Sequence, residues 1–335
     1  MDTASRSQGT GSEGGPVPPE AFDRYRETLD TALKSLVPGS PEGLYGLLRY
    51  HLGWAGPDGE PTAGGSRGKA LRPTLCFLVC EALSGEWSQV ANQAATLELI
   101  HNFTLIHDDI QDHDLERRGR PTVWSIWGVE KGLWAGNVMR SLADRAMTLG
   151  SLPVPKTVRA SELLTQAYLE TMEGQYMDLE FETRAGIGTE DYIAMISRKT
   201  GALIRCAMEV GALVGTDDED TVRILRDCGA HLGLAFQVRD DILGIWGDEA
   251  ATGKATGNDI RRKKKSFPVV YGLANAAGSA RRVLDAAYGA SEVDEAQVAD
   301  VLDVLATMGA DREAQALVDE HSQQALAVLA REEAP

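Results

Sequence analysis

Cysteine is scarce, aromatic side chains make up only 6% of the chain, and no long apolar run is present. The four cysteines among 335 residues, Cys76, Cys80, Cys206 and Cys228, are too few for a disulfide framework in a chain this long. Cys76 and Cys80 share a helix face, but no paired His or Cys motif completes a zinc site, so buried apolar thiols are expected. No stretch of about 18 uninterrupted apolar residues exists, which excludes a membrane-spanning helix. The first residues lack the apolar centre of a signal peptide. Their Gly, Ser, Thr and Pro content predicts a disordered arm over 1–20 and, without a signal, a cytoplasmic protein. Alternating β-branched runs are missing as well, so residues 21–335 are expected to form one large all-α domain. No internal repeat of 20 to 50 residues is apparent. Basic residues are the minority, 33 against 50 acidic, and the net charge of -17 argues against a nucleic-acid partner. No Ser-His-Asp or Cys-His arrangement offers a nucleophile. His51, His231 and His321 stand alone, and His107 and His113 receive no role.

What the chain does have is two acidic clusters on apolar-flanked helical segments: Asp108, Asp109 and Asp112, then Asp240 and Asp241 followed by Asp248. At about 100° per residue, His101, Asp108 and Asp112 fall on one stripe with Asp109 beside it. Gln237, Asp241, Gly244 and Asp248 share a second stripe, with Asp240 adjacent. An unpaired buried charge is strongly disfavoured, so a cation is expected between the clusters. Hard oxygen donors supplied as one or two carboxylates per ion suit Mg²⁺, which keeps waters and shares its shell with phosphate oxygens. The implied ligand is a polyphosphate.

Basic residues flank both clusters, against the global balance. Lys69 and Arg72 lie in the segment GKALRP before the first, Arg117, Arg118 and Arg120 follow it, and Lys254 and the run Arg261, Arg262, Lys263, Lys264 and Lys265 follow the second. Arginine forks and lysine point charges would hold the phosphate oxygens that a metal leaves free. The run 261–265 reads as a phosphate gate. The Gly- and Pro-containing segment 53–68 reads as a long loop delivering Lys69 and Arg72 to the site. Segments 298–308 and 317–329, apolar at helical spacing, read as outer helices of the bundle.

In order along the chain come GKALRP, DDIQDHDLERRGRPT, GQYMDLE, KTGAL, FQVRDDILGIWGD, GK, and an aspartate followed by KKKS. This ordered set resembles the trans-isoprenyl diphosphate synthases, or polyprenyl synthetases, from about residue 38 to the C-terminal region. The resemblance implies an all-α bundle of the isoprenoid synthase type, with two Asp-rich helices facing a central cavity and a homodimer formed through mid-chain helices. It implies that Asp108, Asp109 and Asp112 bind Mg²⁺ bridging to an allylic diphosphate, and that Asp240 and Asp241 hold a further ion, about three per active site. Arg117, Lys199, Lys254 and Lys264 would grip that diphosphate, supported by Thr200 and Gln237. Lys69, Arg72, His101 and Arg118 would bind isopentenyl diphosphate. Catalysis would then rest on Asp108, Asp109, Asp112, Lys199, Asp240 and Asp241, with no nucleophilic side chain.

Phe103, five residues before Asp108, would close the hydrocarbon tunnel and set product length. A bulky residue there, in a first motif without an insertion, resembles synthases of geranylgeranyl diphosphate. Two departures stand out. Gly244 replaces the usual third aspartate of the second motif, and Gly136-Asn137 replaces a Gly-Asp pair. Two other functions fit parts of the pattern. A terpene cyclase on the same fold would ionise one long diphosphate but has no use for Lys69, Arg72, His101 and Arg118. A non-catalytic partner subunit would be expected to lose the first aspartate motif, which is intact.

Overall fold

A computed structural model describes residues 20–40, 42–62, 68–150, 152–184, 186–247 and 255–330. The expected arm, apart from Glu20, and Asp248 and Lys254 lie outside these residues. Helices account for nearly all of the rest: α1 Ala21–Arg24, α2 Arg26–Leu36, α3 Gly43–His51, α4 Leu71–Ser84, α5 Ala91–Gln111, α6 Val123–Trp127, α7 Val129–Met147, α8 Val154–Thr183, α9 Thr189–Ile196, α10 Ala202–Gly215 and α11 Glu219–Trp246. After them come α12 Asn258–Arg261, α13 Phe267–Asn275, α14 Gly278–Gly289, α15 Glu295–Thr307 and α16 Ala310–Leu329. The strands among the described residues are the two-residue β1 Glu116–Arg117 and β2 Arg120–Pro121, paired antiparallel.

The first Asp-rich helix lies at the centre because its sequence leaves it no solvent face over most of its length. Leu97, Leu99, Ile100 and Ile106 of α5 are buried, and they join Phe77 of α4, Met139 of α7 and Leu203 of α10 in the largest core cluster. Each such side chain contributes about 1.5–3 kcal/mol on burial. The second Asp-rich helix, α11, begins at Asp218, whose carboxylate accepts from the N–H groups of Asp220 and Thr221. It packs between α10 and α16. The C-terminal segments are helical as expected, with one face buried through Val301 and Leu305 on α15 and Ala314 and Ala325 on α16. All four cysteines are buried thiols.

The segment after α3 is less open than its composition suggests. Ala55 pairs with Pro61, the Gly56 N–H donates to Glu60 O at 2.8 Å, and Trp54 is buried. Arg120 ties this loop down by donating to Tyr50 O at 3.1 Å and Ala55 O at 2.9 Å, with its guanidinium over the Tyr50 ring. Only the stretch that runs on towards Lys69 falls outside the described residues, over 63–67. Among the described residues no helix is long and apolar enough to cross a membrane.

Candidate active site

The end of α5 carries the first cluster into contact with three other elements. Asp109 is buried, 1% exposed, and its Oδ1 accepts from Arg117 Nε on the β1 strand at 2.5 Å. Burial holds its carboxyl up at about 6 although Arg117 opposes the rise. Burial also pushes Asp108 up to about 6, Lys199 lowering it and Asp112 adding to the rise. Lys199 is itself penalised by burial, yet Asp178 and Asp108 more than offset this and keep it firmly charged. Its ammonium is paired with Asp178 on α8. The lysine thus stands between the first aspartate motif and the aspartate of GQYMDLE.

Lys199 reaches that position through a local irregularity. Residues Ser197–Gly201 form a π-helical turn between α9 and α10, a device that bulges one residue towards a site. Gly174 on α8 makes room for it, since a Cβ there would lie 2.2 Å from the Lys199 backbone nitrogen. Thr200 is buried beside it and donates from Oγ1 to Gln237 Oε1 at 2.7 Å.

That bond leads to the second cluster. Gln237 Nε2 donates to Asp241 Oδ1 at 3.0 Å, while the Tyr192 hydroxyl and the Phe267 N–H, at 2.9 Å, donate to Oδ2. Burial still raises Asp241 to about 7, and the hydrogen bonds only moderate it. Asp241 is therefore turned towards α9 and α13, whereas Asp240 is exposed. The substitution at Gly244 has a structural counterpart. A Cβ on Gly244 would lie 2.1 Å from Asp259 Oδ2, so the Asp259 carboxylate occupies the space a side chain at 244 would take. Asn137, the other departure, is exposed on α7.

The second basic group lies about two turns back along α5, around His101. Burial lowers Arg72 to about 10, with Glu98 opposing, and its Nε is buried without a hydrogen-bond partner. His101 is kept neutral by burial and by Arg72 and Arg118. Arg118 sits at the tip of the β1–β2 hairpin with φ 54° and packs against Gly68. His51, on α3, is held near 3 by burial and by Arg118 and Arg117. Lys69 is exposed at the entrance to α4. Arg72 and Arg118, beside the neutral His101, thus form one cationic group, Lys199 forms another at Asp108, and Arg117 acts on both.

The basic run at 261–265 is largely tied to neighbouring segments. Arg261 is paired with Glu295, Arg262 with Asp114, Lys263 donates to Ala290 O, and Lys265 donates to the carbonyls of Phe181, Glu182 and Arg184 at the end of α8. Lys264 is exposed, as is Arg262. Arg117 is likewise engaged, by Asp109, and lies 3.9 Å from Asp114.

Among the described residues no three His, Cys, Asp or Glu side chains converge on a single metal position. The donor set nevertheless fits Mg²⁺. It is all oxygen, Asp109 Oδ2 is buried with no partner, and Asp108 is a half-buried carboxyl beside a second one. Mg²⁺ needs only one or two carboxylates besides water and phosphate, so a finished protein cage is not required. Sequence reasoning missed Asp178, Asp259, Tyr192 and His51. Asp178 was visible in GQYMDLE, and Asp259 in the aspartate before KKKS; the other two carry no local signal.

An all-α bundle with two carboxylate clusters and two separate cationic groups around one central helix defines an isoprenoid-synthase-type enzyme. Comparison with known proteins gives the family: residues 63–305 match polyprenyl synthetase, and the chain belongs to that family of trans-prenyltransferases. A geranylgeranyl diphosphate synthase from Mycobacterium tuberculosis is 38% identical over 313 residues, 92% of this chain and 87% of that protein. A (2E,6E)-farnesyl diphosphate synthase from Mycobacterium bovis is 34% identical over 308 residues, covering 91% and 85%. The crystal structure of a polyprenyl synthetase from Streptomyces coelicolor superposes with a TM-score of 0.85 at 35% identity, covering 92% of each chain.

Proposed function

We propose that this chain is a Mg²⁺-dependent synthase that condenses isopentenyl diphosphate with an allylic diphosphate, giving geranylgeranyl diphosphate. The observation that carries the reading is that cations gather at two levels along α5: Lys199 at Asp108, and Arg72 and Arg118 about two turns back at the neutral His101, with Arg117 acting on both. Two anions therefore have separate places. The same division speaks against a cyclase, which needs only one.

Mg²⁺ held by Asp108, Asp109, Asp112, Asp240 and Asp241, with Asp259 near by, would supply the positive charge that a departing diphosphate requires. Lys199, fixed by Asp178, adds a cation aimed at the same oxygens. The allylic C–O bond breaks with its electron pair leaving on the diphosphate. The isopentenyl double bond then attacks the allylic carbon, and a proton is lost to the released diphosphate. Thr200 and Gln237 keep Asp241 oriented, and Arg72 and Arg118 hold the second diphosphate with its double bond towards the reacting carbon. Water must be excluded from the cation, which the apolar lining beneath Asp108 accomplishes. Phe103 in that lining supports the geranylgeranyl product, as does the relative named for it.

The test is incubation with Mg²⁺, labelled isopentenyl diphosphate and, separately, dimethylallyl, geranyl and farnesyl diphosphate, with products resolved by length. Labelled linear diphosphates ending at geranylgeranyl are expected. A hydrocarbon from one long substrate alone would instead establish the cyclase, and no product would leave the partner-subunit reading.

We further propose one helical domain over 21–335, cytoplasmic residence and a homodimer. Leu169, Met172 and Tyr176 form an exposed apolar stripe along α8, and Leu133 and Trp134 are exposed on α7. Light scattering should give twice the 36.1 kDa chain mass, and a monomeric mass would refute the dimer.

A further inference from the structure

Helices α5 and α8 run parallel and touch at two levels. At the upper level Gln175 Nε2 donates to Gln111 Oε1 at 2.9 Å, close to the Lys199–Asp178 pair. At the lower level the rings of Phe103 and Tyr168 pack edge to face with centroids 5.6 Å apart. The two levels are eight residues apart on α5 and seven on α8, so the helices stay in step over about 11 Å. An apolar chain entering at Asp108 and descending between them meets both rings together. His107 closes a third side. Its ring is 4.8 Å from that of Phe103 and fills the space of the absent Gly136 side chain.

Tyr168 is braced by α7. The Arg140 guanidinium lies over its ring, 4.4 Å from the centroid, and is paired with Asp144, while Arg140 Nε is buried with no hydrogen-bond partner. Beyond the tyrosine, then, stands a charge instead of more hydrocarbon. Extending a prenyl tail past it would press methylenes against a guanidinium that has little water, which is unfavourable.

We propose that Tyr168, held in place by Arg140, is the second half of the stop that sets product length, so that Phe103 alone does not determine it. The inference rests on the prenyl-elongating reading of this site. Phe103→Ala is expected to lengthen the product, and Tyr168→Ala to lengthen it by at least one further isoprene unit, because the remaining ring no longer spans the gap. Tyr168→Ala with Arg140→Met should lengthen it most, since the cation is gone too. Tyr168→Phe should leave the distribution unchanged and Tyr168→Trp should shorten it.

The experiment is chain-length analysis of labelled products from the wild type and these five variants with farnesyl diphosphate and Mg²⁺. Length is a ratio among products, so a variant that folds only in part still reports it, and Tyr168→Trp covers the case of a Tyr168→Ala protein that does not fold. Linear products from every variant with the wild-type distribution would overturn the proposal while leaving the elongating activity standing. Failure of the wild type to elongate at all would overturn it together with the reading on which it rests.

Discussion

Asp108→Asn is expected to reduce turnover by on the order of a thousandfold or more, while raising the melting temperature of the metal-free protein at about pH 7.5. The two effects have one cause. Asp108 is a half-buried carboxyl held up at about 6 by desolvation, so at higher pH the fold carries an ionised group it solvates poorly, with Asp112 adding repulsion and Lys199 only partly compensating. Asparagine keeps the shape and removes that charge. The same charge is what would draw Mg²⁺ and the diphosphate to this end of α5, so removing it takes away stabilisation where negative charge grows during ionisation. Circular dichroism melts and single-turnover assays on the same preparation separate the two outcomes. Wild-type turnover in the variant would mean that the first cluster is not where the diphosphate departs.

Metal removal gives the second large effect. Chelation should abolish turnover, and the metal-free protein should then lose stability as pH rises from about 6.5 to about 8. For a buried carboxylate held above its ordinary value of about 3.8, the folded chain retains a proton that the unfolded chain has released. Its contribution is full below that ordinary value and is lost as pH climbs through the folded one, about 6 for Asp109 and about 7 for Asp241. The buried histidines act in the opposite sense. His51 near 3 and the lowered His101 favour folding increasingly as pH rises, but only up to about 6.5, where the unfolded chain also turns neutral. Above that value the carboxylates act alone. Most of their contribution is already gone by about pH 6.5, and what is lost between about 6.5 and 8 is on the order of 1 kcal/mol, chiefly from Asp241, because each tenfold change in proton affinity between the folded and unfolded chain is worth about 1.4 kcal/mol. Saturating Mg²⁺ should flatten the decline, so the stabilisation by Mg²⁺ is larger at pH 8 than at pH 6.5. Melts at both pH values with and without Mg²⁺ check this, and an equal rise in melting temperature at the two would count against carboxylate ligation.

Much of the site was readable before any fold was known because its parts are local. The stripe of Gln237, Asp241 and Gly244 needs only helical periodicity, and the structure keeps it, with Gln237 bonded to Asp241 one turn on. Arg72 and Arg118 needed only their place in GKALRP and DDIQDHDLERRGRPT. What the sequence could not show is where a charge has a partner far along the chain. Arg262 looked like a phosphate ligand because it lies in a basic run, but Asp114, 148 residues away, takes it up. Gly244 looked like a missing carboxylate, yet Asp259 comes in from another segment to fill its space. The π turn that presents Lys199 has no periodic signature in five residues.

The sequence by itself determined the helical class and the kinds of atoms at the site, since periodicity and side-chain chemistry act over one or two turns. Tertiary structure alone decided which charges remain available. A guanidinium binds whichever carboxylate the packing of apolar faces brings within reach, and neither Asp109 with Arg117 across a hairpin nor Tyr168 beneath Arg140 is specified until α5, α7 and α8 have been pressed together by their buried side chains.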